Sequence, residues 1–578
     1  MRRPPSTSRL GHDAARVVLQ AFADHRAAWL AVTGQAQTSF ERRDWARLQH
    51  DGSRRLLLYA DAVQRALEAV GPVLGDRADD RVVWLGAKAA YSALVAQRPD
   101  WELAETFFNS VGRRVLGTVG VDDLVEFVDT DFEEPPAPSP TAPHRSLQWR
   151  GSMADLVERV LGLPGFAVPW LDRAGDAARL APRVEAALGD RRPLAVGASV
   201  LKDVFFRGKA AYIVGRLATD GGPLPLVFAL RNGPRGLFVD ALITEEADIS
   251  ILFSFTRSYF HVAAKRPWDV VAFLRTLMPG KRRGEIYISL GHPKQGKTEL
   301  FRDIKDRLDF GTSNFETAPG TPGLVMVCFG LSDQDLVMKV IRDRFPAEKS
   351  TSPERVAERY TWVHLHDRAG RLVDAQSFTH LRLPRDRFEP GLLRELLQEC
   401  AERVWEDRES VVIERAWVER RMEPLNLHLR RVDDAQAIAA LDEYAAALRD
   451  LAACGIFPGD LLLKNFGVTR HGRVAFYDYD ELLALEDCTF RDVPEPQTHE
   501  QEMAAEPWYS VRPNDVFPEE FPRFLGLRGE RRAHLLRAHG DLFTAAWWRS
   551  MQAQVAEGKV VEFVPYLDAL RLGDASER

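Results

Sequence analysis

IFPGDLLLKNFGVTRHGRVAFYDYDE, Ile456 to Glu481, decides how the second half of this 578-residue chain is read. Val474 to Tyr479 follows a His471-Gly472 turn and has the apolar character of a short strand. Asp460 stands before that strand, Asn465 follows Asp460 by five residues, and Asp478-Tyr479-Asp480 closes the strand. An aspartate in the first position can orient an acceptor hydroxyl. An asparagine five residues on, with a further aspartate beyond a strand, can hold magnesium. Taken alone the pattern is weak, because an Asp after Pro-Gly is commonly a turn residue.

Upstream residues extend the pattern. The run Ala318-Pro319-Gly320-Thr321-Pro322-Gly323 is a flexible turn ahead of a predicted hairpin, with strands at Leu324–Gly330 and Leu336–Ile341 joined through Ser332–Asp335. Such a turn can cover phosphates, and Lys339 in the second strand can contact them. Leu336, Met338 and Val340 share one face of that strand, and Val337, Lys339 and Ile341 the other. Glycine-containing turn, strand lysine, D-x-x-x-x-N and a terminal aspartate occur in the order found in protein kinases. The departures are plain: no G-x-G-x-x-G, no His-Arg before Asp460 (Pro458-Gly459 stands there) and no APE motif. Glu354 or Glu358, on the helical pattern Pro353–Tyr360, could pair with Lys339 or be surface charges. Val418–Met422 lies where a hinge to adenine is expected, and strand-edge packing accounts for it equally well.

Three other segments compete. Gly291–Thr298, GHPKQGKT, matches the phosphate-loop pattern and follows a strand-like run, Glu285–Leu290. It lacks a repeated βαβ context, and the alternative is a basic loop on a sheet edge. His366–Asp374 carries a histidine followed by two acids, which suits metal or acid–base work but also a charged turn. Glu506–Phe521 is aromatic, proline-rich and acidic; exposed, it would serve as a protein-docking loop.

The rest of the chain reads as helix, then mixed. Ala14–Phe127 is helical, with stripes at Leu19, Phe22, Trp29 and Val32, at Leu57, Ala60, Val63, Leu67 and Val70, and at Trp84, Ala87, Ala90 and Leu94. All three stripes are read as core. Glu133–His144 is a proline-rich linker or loop. Helix returns at Met153–Leu163 and Asp172–Leu188, strands follow at Ala210–Leu217, Pro225–Leu230 and Gly236–Leu242, and helices dominate from about Pro390, with Trp547 and Trp548 in a helix-packing face.

Composition sets the outer bounds. Length predicts two to four domains. With 45% hydrophobic and 28% charged residues, a wholly disordered chain is excluded. A net charge of −7 leaves no whole-chain basic footprint for nucleic acid. Cys328, Cys400, Cys454 and Cys488 form no CxxC pair, which argues against a disulfide scaffold or cysteine zinc site and fits a reducing cytosol. No run of 18 apolar residues is present, and the start MRRPPSTSRLGHDAARVV has no apolar signal core, so neither membrane insertion nor secretion is expected.

Longer motifs carry a family resemblance. SYFHV (258–262), TAPGTPGLVMVCF (317–329), KVIRDRF (339–345), LHDRAGRLVDAQSF (365–378), ERRMEPLNL (419–427), the opening 456–481 stretch and AAEPWYSVRPNDVFPEEF (504–521) resemble bacterial isocitrate dehydrogenase kinase/phosphatase. TGQAQTSFERRDWARLQHDGSRRLLLY (33–59) is similar to that family's regulatory domain. The resemblance implies an α+β chain: a mostly helical regulatory domain, residues 1–310, followed by a bilobal protein-kinase-like domain, residues 311–578. It implies one active site that phosphorylates a serine of isocitrate dehydrogenase, its protein substrate, and removes that phosphate. Phosphorylation shuts the dehydrogenase and diverts isocitrate from the tricarboxylic acid cycle into the glyoxylate bypass. Carried over by position, Ala318, Pro319, Gly320, Thr321, Pro322, Gly323 and Leu324 form the ATP loop and Lys339 binds ATP. Asp460 is the kinase base, Asn465 and Asp478 hold Mg2+ or Mn2+, Asp374 is tied to phosphatase action, and 506–521 recognises the substrate. ATP/ADP and AMP as allosteric effector are the implied small molecules. The expected setting is cytoplasmic, without nucleic acid or membrane partners, and a homodimer is left open.

Overall fold

The computed structural model describes residues 6–128, 137, 139–254, 259–320, 322–347, 349, 351–366, 369–503, 508–558 and 563–573. The chain divides into two compact units. One holds the residues up to Thr312 together with His380–Arg382 and the described residues from Val564 onward; the other holds Ser313–Thr379 and Leu383–Phe563.

The first unit opens with helices α1 (Thr7–Gly34), α2 (Ala36–Arg42), α3 (Trp45–Leu74), α4 (Arg81–Val95) and α5 (Trp101–Leu116). Ser6, Asp44 and Asp80 cap α1, α3 and α4 by accepting a hydrogen bond from the first turn, satisfying N–H groups that otherwise have no partner. The α1 stripe packs as read, with Phe22, Trp29 and Val32 buried. The α3 stripe is rotated: Val63 and Val70 are buried beside Ala62 and Ala66, while Leu57 is 55% exposed. In α4, Trp84 and Ala87 are buried and Leu94 is exposed.

An antiparallel sheet follows: β1 (His144–Leu147), β2 (Pro193–Leu201), β3 (Phe205–Arg207), β4 (Ala210–Thr219), β5 (Gly222–Gly233) and β6 (Gly236–Ile243), ordered β1-β2-β4-β5-β6 with β3 on β4. Both faces are covered. Tyr212, Val214, Val227 and Ala229 join the core of α1–α5. Ala211, Ile213, Phe228 and Leu230 join a second core with α6 (Met153–Gly162) and α7 (Arg173–Leu188). This two-sided burial gives the strands continuous apolar runs rather than an alternation. The unit ends with α8 (Glu246–Leu252), α9 (Pro267–Leu277), α10 (Arg283–Ser289) and α11 (Pro293–Phe310). The predicted strand 285–290 is therefore helical. Ile286, Tyr287, Ile288 and Leu290 are all buried, and a short segment buried all round carries no period that separates helix from strand. After Val564 the chain returns to this unit, where Tyr566 donates to Asp240 at 2.5 Å and Arg571 pairs with it at 3.1 Å.

The second unit begins with β7 (Phe315–Thr317), β8 (Met326–Leu331) and β9 (Leu336–Ile341), then α12 (Pro353–His366), β10 (Gln376–Pro384), α13 (Pro390–Glu399), β11 (Val404–Asp407) and β12 (Ser410–Arg420). Its sheet runs β10-β12-β9-β8-β7 with β11 on β12. The β8–β9 hairpin matches the reading, but β11–β12 is a hairpin inside a region read as helix. The helical lobe holds β13 (Glu423–Pro424), α14 (Leu425–Arg431), α15 (Asp434–Ala453), β14 (Ile456–Phe457), β15 (Phe466–Val468), β16 (Val474–Phe476), β17 (Leu483–Ala484), β18 (Thr489–Phe490), α16 (His499–Glu502), β19 (Asp515–Val516), α17 (Phe521–Phe524), α18 (Gly529–His539) and α19 (Ala545–Ala556). Trp548 is buried here, stacked on Phe490. No described helix is long and apolar enough to cross a membrane.

Candidate active site

Lys339 sits mid-strand in β9, opposite Cys328 of β8 and Trp417 of β12. Glu419 lies opposite Val337, so it is the diagonal neighbour of Lys339 on one face of the sheet. Their side chains meet with Nζ 2.6 Å from Oε1, both buried, and Nζ also donates to the Tyr477 carbonyl at 2.8 Å. Burial alone would favour the neutral amine. Glu419, Tyr360 and Asp478 outweigh it and keep the ammonium pKa well above its ordinary value. Glu354 and Glu358 are exposed on α12, so neither is the lysine's acid. Glu419 takes that place from within the 418–422 segment itself, whose first three residues are paired to β9 in β12.

The Asp460 loop is held at both ends. Ile456 and Phe457 pair with Ala484 and Leu483, and the Leu461 carbonyl accepts from Tyr444 Oη at 2.7 Å. Gly459 adopts φ +80°, and a Cβ there would stand 2.1 Å from the Glu481 carbonyl. The Pro-Gly pair thus lets two loops cross where only glycine fits. Asp460 Oδ1 accepts from the Leu462 N–H at 2.9 Å and its carboxylate hydrogen-bonds the Asn465 side chain. Partial burial, with Glu481 nearby, raises its pKa.

Phe466 then pairs with Phe476 across β15–β16, and the Asn465 carbonyl accepts from the Tyr477 N–H at 3.1 Å. That pairing brings Asn465 beside the start of Asp478-Tyr479-Asp480. Burial and the adjacent Asp480 push Asp478 up to about 7, against Lys339 and Lys349. Lys349 Nζ lies 3.2 Å from Asp480 and 2.5 Å from Glu481. A half-buried carboxylate driven toward its protonated form by an adjacent second carboxylate suits a hard divalent cation bound through oxygen. Asp478, Asn465 and Asp480 are the residues that could hold one.

Asp374 reaches the same region because residues 371–373 run along β16. Phe476 N–H donates to the Arg371 carbonyl at 2.7 Å, and Val373 N–H to the Phe476 carbonyl at 3.0 Å. Arg371 is fixed by Glu443 and Asp450, each at 2.7 Å. Asp374 Oδ2 accepts from Gln376 at 2.6 Å, and its charge acts on Glu419. Asp367 lies outside the described residues. The loop Ala318–Leu324 joins β7 to β8; Ala318 N–H continues the ladder to the Cys328 carbonyl at 2.9 Å. Pro319, Gly320 and Pro322 are exposed, Gly320 at φ +127°; Leu324 is 53% exposed, and Thr321 is outside the described residues. Of the 506–521 segment, Ser510–Asn514 is exposed. Asp515 beyond it is tied to Arg491 at 2.5 Å.

A family model described as "Isocitrate dehydrogenase kinase/phosphatase (AceK) kinase domain" matches residues 313–568, and one described as the regulatory domain of the same protein matches residues 15–312. A relative named isocitrate dehydrogenase kinase/phosphatase, from Anaeromyxobacter sp. (strain Fw109-5), is 45% identical, with 99% of each chain covered. The chain belongs to this family. A further relative of the same name, from Xanthomonas euvesicatoria pv. vesicatoria (strain 85-10), is 41% identical over 98% of this chain and 99% of its own.

For this member of the kinase/phosphatase family, the GHPKQGKT segment is neither a phosphate loop after a strand nor a sheet-edge loop. Gly291 and His292 link α10 to α11, and Gly296 lies within α11. A Cβ on Gly296 would stand 2.4 Å from Ile288 Cγ1, so that glycine permits α10 and α11 to pack closely. Lys297 is pushed down to about 7, chiefly by burial and then by Lys294 and Arg113. Glu419 is the site residue that motif reading missed. The signal available was an acid in a strand two residues beyond the partner of Lys339, which has meaning only once the register is known.

Proposed function

We propose that this chain is a bifunctional enzyme that uses ATP to phosphorylate a serine of isocitrate dehydrogenase, inactivating it, and removes that phosphate from the same site. It thereby divides isocitrate between the tricarboxylic acid cycle and the glyoxylate bypass, in the cytoplasm and under AMP control. The observation that carries this reading is the buried Lys339–Glu419 pair, set beside Asp478 and Asp374 in a chain matched over its whole length by the family.

In the forward direction Lys339 contacts the nucleotide phosphates, and Ala318–Leu324 covers them. Asp460 orients the serine hydroxyl and accepts its proton as the Oγ–phosphorus bond forms and the bridge to ADP breaks. Magnesium or manganese, bound by Asn465 and Asp478, would supply neutralisation of phosphate charge. Asp374 serves the reverse direction, by orienting a water or by assisting return of phosphate to ADP. The exposed Ser510–Asn514 loop offers the dehydrogenase a docking surface.

The test incubates the full chain with magnesium, γ-labelled ATP and isocitrate dehydrogenase from the same cell, then chases with ADP and AMP. Label on a dehydrogenase serine, lost dehydrogenase activity and later release of label are expected. Release as free phosphate identifies water attack; release as ATP identifies phosphate return. Labelled metabolite with unlabelled dehydrogenase would overturn the protein-substrate reading.

A further inference from the structure

On the helical lobe, α15 and α18 bring together a group that the phosphoryl chemistry does not use. His534 Nε2 lies 2.6 Å from Asp442 Oδ1, and His539 Nε2 lies 2.9 Å from the same oxygen. One ligand atom from each residue falls within 4.8 Å of the others. This convergence is not what a regular helix provides. Residues five apart on an α-helix point about 140° apart. His539 escapes that constraint because α18 breaks there, at φ −135° and ψ 23°, and its ring turns back toward α15.

We propose that Asp442, His534 and His539 form a binding site for a zinc-class divalent cation, which clamps α15 to the end of α18. The donor set is two imidazole nitrogens and one carboxylate oxygen, which selects zinc, cobalt or nickel over magnesium. Tetrahedral zinc separates its ligand atoms by about 3.3 Å, so each Asp442–histidine distance lengthens by about 0.4–0.7 Å to admit the ion, within a trio whose ligand atoms already lie within 4.8 Å of one another. Side-chain exposures of 46%, 20% and 19% for Asp442, His534 and His539 leave a fourth position for solvent. Local positive charge is already answered: Arg449 on α15 is engaged by both oxygens of Asp541, each at 2.7 Å. Without metal, Asp442 accepts from both Nε2–H groups; with the cation bound at Nε2, each neutral imidazole carries its proton on Nδ1. Asp442 also lies two residues from Tyr444, whose hydroxyl holds the Leu461 carbonyl. The clamp therefore braces the helix that carries the Asp460 loop.

The experiment titrates the chelator-treated full chain with zinc by calorimetry in excess magnesium, and with cobalt by visible absorption. One equivalent of zinc, a raised Tm, and a tetrahedral cobalt spectrum without sulfur charge-transfer are expected. His539→Gln and His534→Gln should each weaken zinc about tenfold or more and abolish the Tm rise, with circular dichroism unchanged. No zinc bound by the wild-type chain overturns the proposal. So does a sulfur-to-cobalt band, which would put the ion on a cysteine, or equal zinc affinity in the double variant. If either variant fails to fold, the wild-type cobalt spectrum decides alone, because imidazole–carboxylate and thiolate ligation differ in it.

Discussion

Lys339 and Glu419 form a buried ion pair, Nζ to Oε1 2.6 Å, between two adjacent strands of one sheet. Kinase-like reasoning from sequence looks for this glutamate on the helix after the lysine. Here the partner comes from the neighbouring strand β12. Breaking such a pair leaves a charge without compensation, at a cost of about 3–5 kcal/mol. Glu419→Ala should therefore lower Tm and impair phosphorylation and dephosphorylation together. Lys339→Met should weaken ATP binding and impair both directions. Glu354→Gln and Glu358→Gln should leave both activities near wild type. Activity loss confined to the α12 variants would sink the assignment.

Asp374 should separate the two activities. Its segment hydrogen-bonds to β16, so Asp374→Ala removes a carboxylate without removing the backbone contacts that hold the strand. Label transfer to the dehydrogenase should persist and label release should fall by two orders of magnitude or more, about 10²-fold. Equal loss of both would refute a selective role.

Gly459→Ala is expected to disable the Asp460 loop while leaving the first unit folded. The new Cβ would clash with the Glu481 carbonyl, and φ +80° adds strain of about 1–3 kcal/mol. Kinase turnover should drop far more than ATP affinity. Wild-type turnover would show that the loop crossing does not position Asp460.

The 291–298 segment offers the opposite expectation. Lys297→Met should leave ATP affinity unchanged, because the lysine lies in a helix and not in a phosphate cradle. Gly296→Ala should lower Tm by forcing α10 from α11. Loss of ATP binding in Lys297→Met, with Lys339→Met still binding, would restore the phosphate-loop reading.

Glu102 supplies a pH dependence in the first unit. It is fully buried, accepts from Tyr287 Oη at 3.3 Å, and burial raises its pKa from 4.5 to about 8. The folded state holds the proton more tightly than the unfolded chain. The stability this contributes is fully present below pH 4.5 and is lost as pH rises through about 8. Glu102→Gln should flatten the fall in Tm between about pH 4.5 and about 8. An unchanged slope would show that another group sets it.

The motifs at Asp460, Asn465 and Asp478 and the hairpin bearing Lys339 were legible because their order and spacing are local properties of the chain. So were the helices of the first hundred residues and the strands β4–β6, whose apolar runs and turn residues are also local. Tertiary structure decided what depends on register and packing. Glu419 reaches Lys339 only through the β9–β12 pairing. Asp374 reaches the site only because 371–373 lie along β16. The run at 285–290 is helix although its all-round burial left no period by which to read it, and Gly296 serves helix packing. His534 and His539 face one carboxylate only because α18 ends where it does. The sequence by itself determined the family of chemistry through residues close along the chain. The partners that tune those residues lie far apart in sequence, and only folding brings them within reach.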